Sequence, residues 1–301
     1  MKISLNSRLI STVRGLSLFI VGVLLFASCT GSGSGDAKSK TITLKGSDTM
    51  VRLGQRWAEE YMKKNPNVVI QVSGGGSGTG ISALINGTTD ICQASRDIKA
   101  KEVEELEKQG AKLYRYRVAL DGIAIFVHES NPIQEISMDQ LRRIYTGELT
   151  NWKELGGVDG AIVLYSRENN SGTYAYFKEA VLHDADFSSW TSTLPGTSAV
   201  VNAVSKDALG IGYGGIAWAT GVKHCNVKSN DTSVAFAPTM ELISNGQYPI
   251  SRPLFWFTRN EPAAEIKNFL NWSLSVDGQK IAEETHYVPL LAEEAASQII
   301  P

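Results

Sequence analysis

From residue 41 onward, short β-branched runs take turns with stretches in which apolar side chains recur every three or four positions. "TITLKG" reads as a strand closed by glycine. "DTMVRLGQRWAEEYMKK" predicts a helix with Met50, Leu53, Trp57, Ala58 and Tyr61 on one face, stopped by "NPN". "VVIQV" reads as a buried strand. Ile81, Leu84 and Ile85 mark a short helix closed by Asn86-Gly87, and "DICQA" the next strand. "KEVEELEKQG" predicts a charged surface helix, followed by two strands, "KLYRYRVAL" and "GIAIFVH".

The second half repeats the pattern. Ser137 and Gln140 have capping-box spacing at the start of "DQLRRIYTG", with Leu141, Ile144 and Tyr145 facing inward. "AIVLYS" is a strand, "RENNSGT" a turn, and Phe177, Ala180 and Val181 belong to a helix. "SAVVNAVSKD" is helical, "ALGIGYGG" a strand and "YPISRPLFWFT" an extended segment. Terminal helices are expected at 262–273 and 276–285. Alternating elements imply an α/β fold with largely parallel sheets covered by helices. The six tryptophans are scattered, mostly beside apolar runs, and read as core or lobe packing.

The N-terminus departs from this pattern. Lys2, Arg8 and Arg14 precede a run of about 13 mostly apolar residues, "GLSLFIVGVLLFA". That is short of the ~20 residues a membrane-spanning helix needs, so residues 1–28 read as a signal peptide. Ala27-Ser28-Cys29 resembles the lipobox of bacterial lipoproteins, with Phe26 where that pattern prefers leucine; Cys29 is the expected lipidation site. Residues 29–40, small and polar, suit a tether between a lipid anchor and a folded body. The protein is therefore expected to be exported and lipid-anchored to a bacterial membrane, periplasmic or on the outer face of the cytoplasmic membrane.

Composition narrows the function. The 301 residues are 43% hydrophobic and 20% charged, with a net charge of −2. No basic surplus points to nucleic acid. Cys92 and Cys225, the cysteines left in the body, could pair, which spacing does not decide. Cysteines and histidines show no metal-ligand spacing, and no cofactor motif stands out.

Three segments share one pattern: a strand, a turn of glycine and hydroxylated residues, then a helix. They are Gly46 to Met50, Ser73 to Gly80 and Ser166 to Thr173. A helix N-terminus carries unsatisfied N–H groups and partial positive charge, so an oxyanion is favoured there. A single turn of this kind is as well explained by helix capping. Three of them, with Arg167 four residues before Ser171, point to anion binding. Gly78-x-Gly80-x-x-Ala83 fits a dinucleotide fingerprint, but its strand ends six residues early, at Val72. A phosphate-binding loop of the Walker type lacks its Gly-Lys-[Ser/Thr]. A serine-hydrolase elbow fails because Thr79 stands where its second glycine belongs.

"KGSDTMVRLGQRWAEEY", "VSGGGSGTGISALINGTTDICQASRDI", "DGIAIFVHESNPI" and "SRENNSGTYAYF" together resemble the phosphate-binding proteins of bacterial ABC-type phosphate uptake systems, PstS-like periplasmic substrate-binding proteins. The resemblance covers residues 41–290 in order. It implies a two-lobed, type II-like periplasmic binding protein fold, two mixed sheets flanked by helices, closing over inorganic phosphate. Lobe 1 would comprise 41–118 and 246–301, and lobe 2 119–245, with hinges near 117–121 and 240–252. The phosphate ligands implied are Thr49, Met50, Ser77, Arg96, Arg167, Ser171, Gly172 and Thr173. Well-studied members have an aspartate after the "DIxxAS" strand that accepts the phosphate proton; Arg96 stands there in this chain. Asp48, Asp97 and Asp121 are the candidate replacements. The resemblance implies a monomer that is not an enzyme and delivers phosphate to an ABC permease. A receptor for sulfate, an exported phosphate-ester hydrolase using the same cradle, and a surface protein that has lost its ligand are the competing readings.

Overall fold

The computed structural model describes residues 40–300. The expected signal peptide, Cys29 and all of the tether except Lys40 lie outside them. Lys40, expected as the last residue of the tether, instead pairs with Val68 in the first strand pair. No helix among the described residues is long and apolar enough to cross a membrane.

The chain opens with β1 (Lys40–Gly46), a 3-10 turn (Asp48–Met50), α1 (Val51–Lys64), β2 (Val68–Ser73), α2 (Ser77–Ile85), β3 (Ile91–Ala94), α3 (Ala100–Lys108) and β4 (Leu113–Val127). It continues through β5 (Glu135–Ser137), α4 (Met138–Thr146), β6 (Val163–Arg167), α5 (Gly172–Ala180), β7 (Ser192–Leu194), α6 (Thr197–Val204) and β8 (Gly210–Gly215). Then follow β9 (Lys223–Lys228), β10 (Ala235–Phe236), α7 (Met240–Ser244), β11 (Ser251–Arg259), α8 (Ala264–Ser273), α9 (Val276–Glu284) and α10 (Ala292–Ser297).

The strands form one hydrogen-bonded path, β2-β1-β3-β11-β4-β8-β6-β7, with β9 joining β4, β5 and β10 beside it. β4 belongs to two mixed halves. Its first part pairs antiparallel with β11, whose other neighbour β3 leads to the parallel β1 and β2. Its last residues, Ile123–Val127, pair with β8, which runs parallel to β6. The two strands expected at "KLYRYRVAL" and "GIAIFVH" are therefore one. Asp121, the one residue between those two runs, pairs with β11 as Gly122 does. The register against β11 skips Val118, a bulge in the middle of β4.

Each half has its own buried apolar residues. In the first, Leu53, Trp57, Ala58 and Tyr61 of α1 pack on the sheet and on Phe269 and Leu270 of α8. Trp57 meets Trp256 edge-to-face at 5.1 Å and donates Nε1–H to Gly278 O at 2.7 Å, so its one polar atom is satisfied. In the second, Tyr145, Phe177 and Tyr213 gather with Trp152 under α4 and α5. Of the six tryptophans expected as packing residues, one, Trp190, is exposed. The Ser137–Gln140 capping box forms as expected, and Gly147 ends α4 in the left-handed region at φ 89°. Cys92 and Cys225 are free buried thiols. Burial pushes the Cys225 thiol up to about 12.

Candidate functional site

The three glycine-hydroxyl turns come together between the halves of the sheet. Gly46 takes φ 141°, and a side chain there would meet Gln93 O at 2.2 Å, so only glycine lets β1 turn over β3. This carries the chain into the Asp48–Met50 turn. Thr49 is then fixed by its carbonyl, which accepts from Trp218 Nε1 at 3.1 Å and from the Tyr287 hydroxyl. Ser77 opens α2, and Ser171 caps α5 by accepting from the N–H groups of Thr173 and Tyr174.

The polar side chains at this junction are buried: Ser47, Thr49, Ser77, Ser95, Asp121, Arg167, Ser171, Thr173 and Arg252. They touch one another across the two halves. The Thr49 and Thr173 hydroxyls lie 2.9 Å apart. Arg167, at the end of β6, donates Nη2 to Asp48 Oδ2 at 2.9 Å and Nη1 to Thr197 Oγ1 at 2.8 Å. Asp48 Oδ1 accepts from Gly75 N at 2.8 Å, so one carboxylate ties the glycine turn to the arginine. Ser47 donates to Ser95 Oγ at 2.9 Å, and Ser95 N donates to Ser77 Oγ at 3.1 Å. At Gly172 a side chain would lie 2.3 Å from Ser77 Oγ and 2.7 Å from Ser95 Oγ, so glycine is what lets α5 approach α2. Asn170 closes the edge: its carbonyl accepts from Gly78 N at 2.9 Å and its Nδ2 donates to Gly75 O at 3.1 Å.

Of the expected ligands, Thr49, Ser77, Arg167 and Thr173 thus meet at one buried junction, with Gly172 packed against Ser77 and Ser95 and Ser171 capping the helix beside them. Met50 and Arg96 do not join it as donors. The Met50 side chain is core, and its N–H donates to Ser47 O at 3.1 Å within its own turn. Arg96 forks onto Glu102, with Nη1 and Nη2 at 2.9 and 2.7 Å from the two carboxylate oxygens. Among the candidate carboxylates, Asp97 is solvent-exposed and held by Arg115. Asp48 is taken up by Arg167 and Gly75. Asp121 is fully buried, pairs with Arg252, and its Oδ1 has no hydrogen-bond partner among the described residues. Burial pushes the Asp121 carboxyl above the usual aspartate range, although Arg252 pulls the other way. Burial also lowers the Arg167 pKa, opposed by Asp48.

A groove of about 670 Å³ opens beside this junction, between Arg96–Lys99 on one side and Tyr174–Glu179 on the other, with Arg252 in its wall. The clustering of hydroxyls and two guanidinium groups at helix starts suits a small oxyanion.

The PBP superfamily domain model matches residues 31–277. The phosphate-binding protein PstS of Pseudomonas aeruginosa is 35% identical over 279 residues, covering 87% of this chain and 86% of that protein. The chain belongs to the PstS family of phosphate-binding proteins. PstS of Staphylococcus haemolyticus is 32% identical, covering 91% of this chain and 90% of that protein. A Clostridium perfringens protein assigned as a phosphate ABC transporter substrate-binding protein, crystallised with bound phosphate, superposes with a TM-score of 0.76 at 31% identity; the match covers 84% of this chain and all of that one. The mixed α/β fold with helices flanking a curled sheet is that of these proteins.

The sequence reading missed Arg252 as a site residue. Its guanidinium donates to Asp121 Oδ2 through Nε at 3.2 Å and Nη2 at 2.8 Å, to Ser95 O at 2.8 Å and to Thr173 Oγ1 at 3.0 Å. Its signal was present: an arginine inside "YPISRPLFWFT" has apolar neighbours, and a buried cation must find partners. Ser47, Ser95 and Thr197 gave no such signal, since single hydroxyls are common at turns and strand ends.

Proposed function

We propose that this protein is an extracytoplasmic receptor that binds inorganic phosphate at the buried junction of the two halves and hands it to an ABC permease. The observation that carries the reading is the convergence of Thr49, Ser77, Arg167, Gly172 and Thr173 at one buried junction in a chain of the PstS family. Phosphate would exchange with the hydroxyl and guanidinium contacts now made across the junction. Many preorganised donors offset the anion's lost hydration. The carboxylate we assign to the phosphate proton is Asp121.

The lobes would be 41–118 with 246–301, and 119–245. The Val118 bulge supports a hinge near 117–121, where β4 passes from one half to the other. Cys29 would carry the lipid that keeps the monomeric receptor at the membrane, and no bond would be made or broken in the phosphate it delivers.

Titration calorimetry on protein stripped of bound anion tests this. Phosphate should bind and sulfate should bind far more weakly at pH 8. Equal affinity for sulfate would make this a general oxyanion receptor, and steady hydrolysis of a phosphate ester by the pure protein would make it an enzyme.

A further inference from the structure

Hydroxyl groups can donate or accept, and an anion site needs them to donate. Thr173 and Ser77 each face an obligatory donor. Thr173 Oγ1 receives Arg252 Nη2 at 3.0 Å, and a guanidinium has no acceptor to offer in return. The Thr173 proton must therefore turn away from Arg252, toward Thr49 and the junction. Ser77 Oγ receives the backbone N–H of Ser95 at 3.1 Å, so its proton turns away from that N–H, with Ser95 Oγ as its long neighbour at 3.4 Å, and Arg252 holds that same residue through Ser95 O at 2.8 Å. One guanidinium thus bears on a hydroxyl from each half of the molecule.

Arg252 is itself held from several sides. It is 2% exposed, and Asp121 receives both Nε and Nη2. A hydroxyl that accepts from a cation becomes a stronger donor through its own proton, and in a buried site this polarisation is little screened. Resting on the phosphate reading above, we infer that Arg252 is a positioning residue for the anion: it directs the Thr173 hydroxyl, and through Ser95 the Ser77 hydroxyl, to donate into the junction. The role is separate from that of Arg167, whose guanidinium meets Asp48 and Thr197 and neither of these hydroxyls.

The test is a thermodynamic cycle read by calorimetry with inorganic phosphate, using full-length R252M, T173V and R252M/T173V. Circular dichroism and thermal melts accompany each. R252M should weaken phosphate by about 10- to 100-fold, the worth of a charge-assisted bond. Because Arg252 acts in part through Thr173, with the Ser77 route left in T173V, the double variant should lose clearly less than the product of the two single losses. If R252M fails to fold, D121N/R252M, which leaves no buried carboxylate unpaired, should bind phosphate about 10- to 100-fold more weakly than D121N alone, the comparison that removes the part of the loss due to Asp121 itself. Multiplicative losses in the cycle, or wild-type affinity in any folded variant lacking Arg252, overturn the inference while leaving the phosphate reading intact. No phosphate uptake by the wild-type protein would instead overturn the phosphate reading, and the inference falls with it.

Discussion

Two buried arginines stand at the junction, and they are built differently. Arg167 reaches across from the second half to Asp48, whose side chain keeps 25% of its surface in water. Arg252 lies in the first half against Asp121, whose side chain is fully covered. The difference sets what each pair can do. A carboxylate with access to solvent can give up its arginine and rehydrate, so the Arg167–Asp48 pair can open for a ligand. A sealed carboxylate has no such alternative, because an uncompensated buried charge is costly. The Arg252–Asp121 pair is therefore framework, and the Arg167–Asp48 pair is the part that can exchange.

The sharpest way to break this comparison is to remove each cation and measure stability. Arg252→Met should cost about 3–5 kcal/mol, the usual penalty for orphaning one member of a buried ion pair. Arg167→Met should cost clearly less, since Asp48 can turn to water. Urea unfolding of the two variants checks it; equal losses would mean the pairs are not distinct. Phosphate affinity should give the opposite order. Arg167→Ala should lose about 2–4 kcal/mol of binding, as when one partner of a buried charged contact is truncated. Calorimetry showing no loss would mean that the fold keeps its shape without this ligand.

The same contrast explains what could be read from the sequence. Arg167 sits in "SRENNSGT", where glycine, hydroxyls and a cation crowd a strand-to-helix turn, and local rules on helix starts sufficed to select it. Arg252 comes into the site from a strand 131 residues after its partner Asp121, and only strand pairing brings them together. The elements with strong apolar periodicity, α1 and α4 among them, were legible for the same local reason. The short β5, β7 and β10 were not, having two or three residues each and no periodicity to show. Arg96 was selected by its place after "QAS", but local chemistry gives it a nearer carboxylate in Glu102. The continuity of β4 was hidden because a charged Asp121 interrupts two apolar runs, and its buried partner Arg252 lies far away in the sequence.

A smaller effect tests how closely the halves must approach. Gly172→Ala would place a methyl 2.3 Å from Ser77 Oγ and 2.7 Å from Ser95 Oγ, so α5 must move off α2. Overpacking of this kind costs on the order of 1–3 kcal/mol. The loss should fall on phosphate affinity more than on unfolding, because each half keeps its own core. Gly246 gives the control: it has φ 74° but nothing among the described residues within 4 Å, so Gly246→Ala should cost some backbone strain and leave affinity unchanged. Equal affinity losses in the two variants would show that the approach of α5 is not what matters.

The finest distinction is between two arginine–carboxylate pairs that should respond to pH with opposite signs. Burial raises the Asp121 carboxyl above 3.8 despite Arg252. The folded protein then holds a proton that the unfolded chain releases, so this group's contribution to stability falls as pH rises past about 4 and levels off above its folded pKa. At Glu102 burial also pushes upward, but the Arg96 fork and the Lys99 N–H outweigh it and the net shift is below 4.5. Its contribution is present above the unfolded value and is lost as pH falls through the lower, folded one. Urea midpoints measured from about pH 3 to pH 7 should therefore diverge. Relative to wild type, Asp121→Asn should gain as pH rises, and Glu102→Gln should lose. Parallel curves would mean that Asp121 is carried ionised, its burial fully offset by Arg252, and that it has no raised affinity for a proton to lend to phosphate recognition.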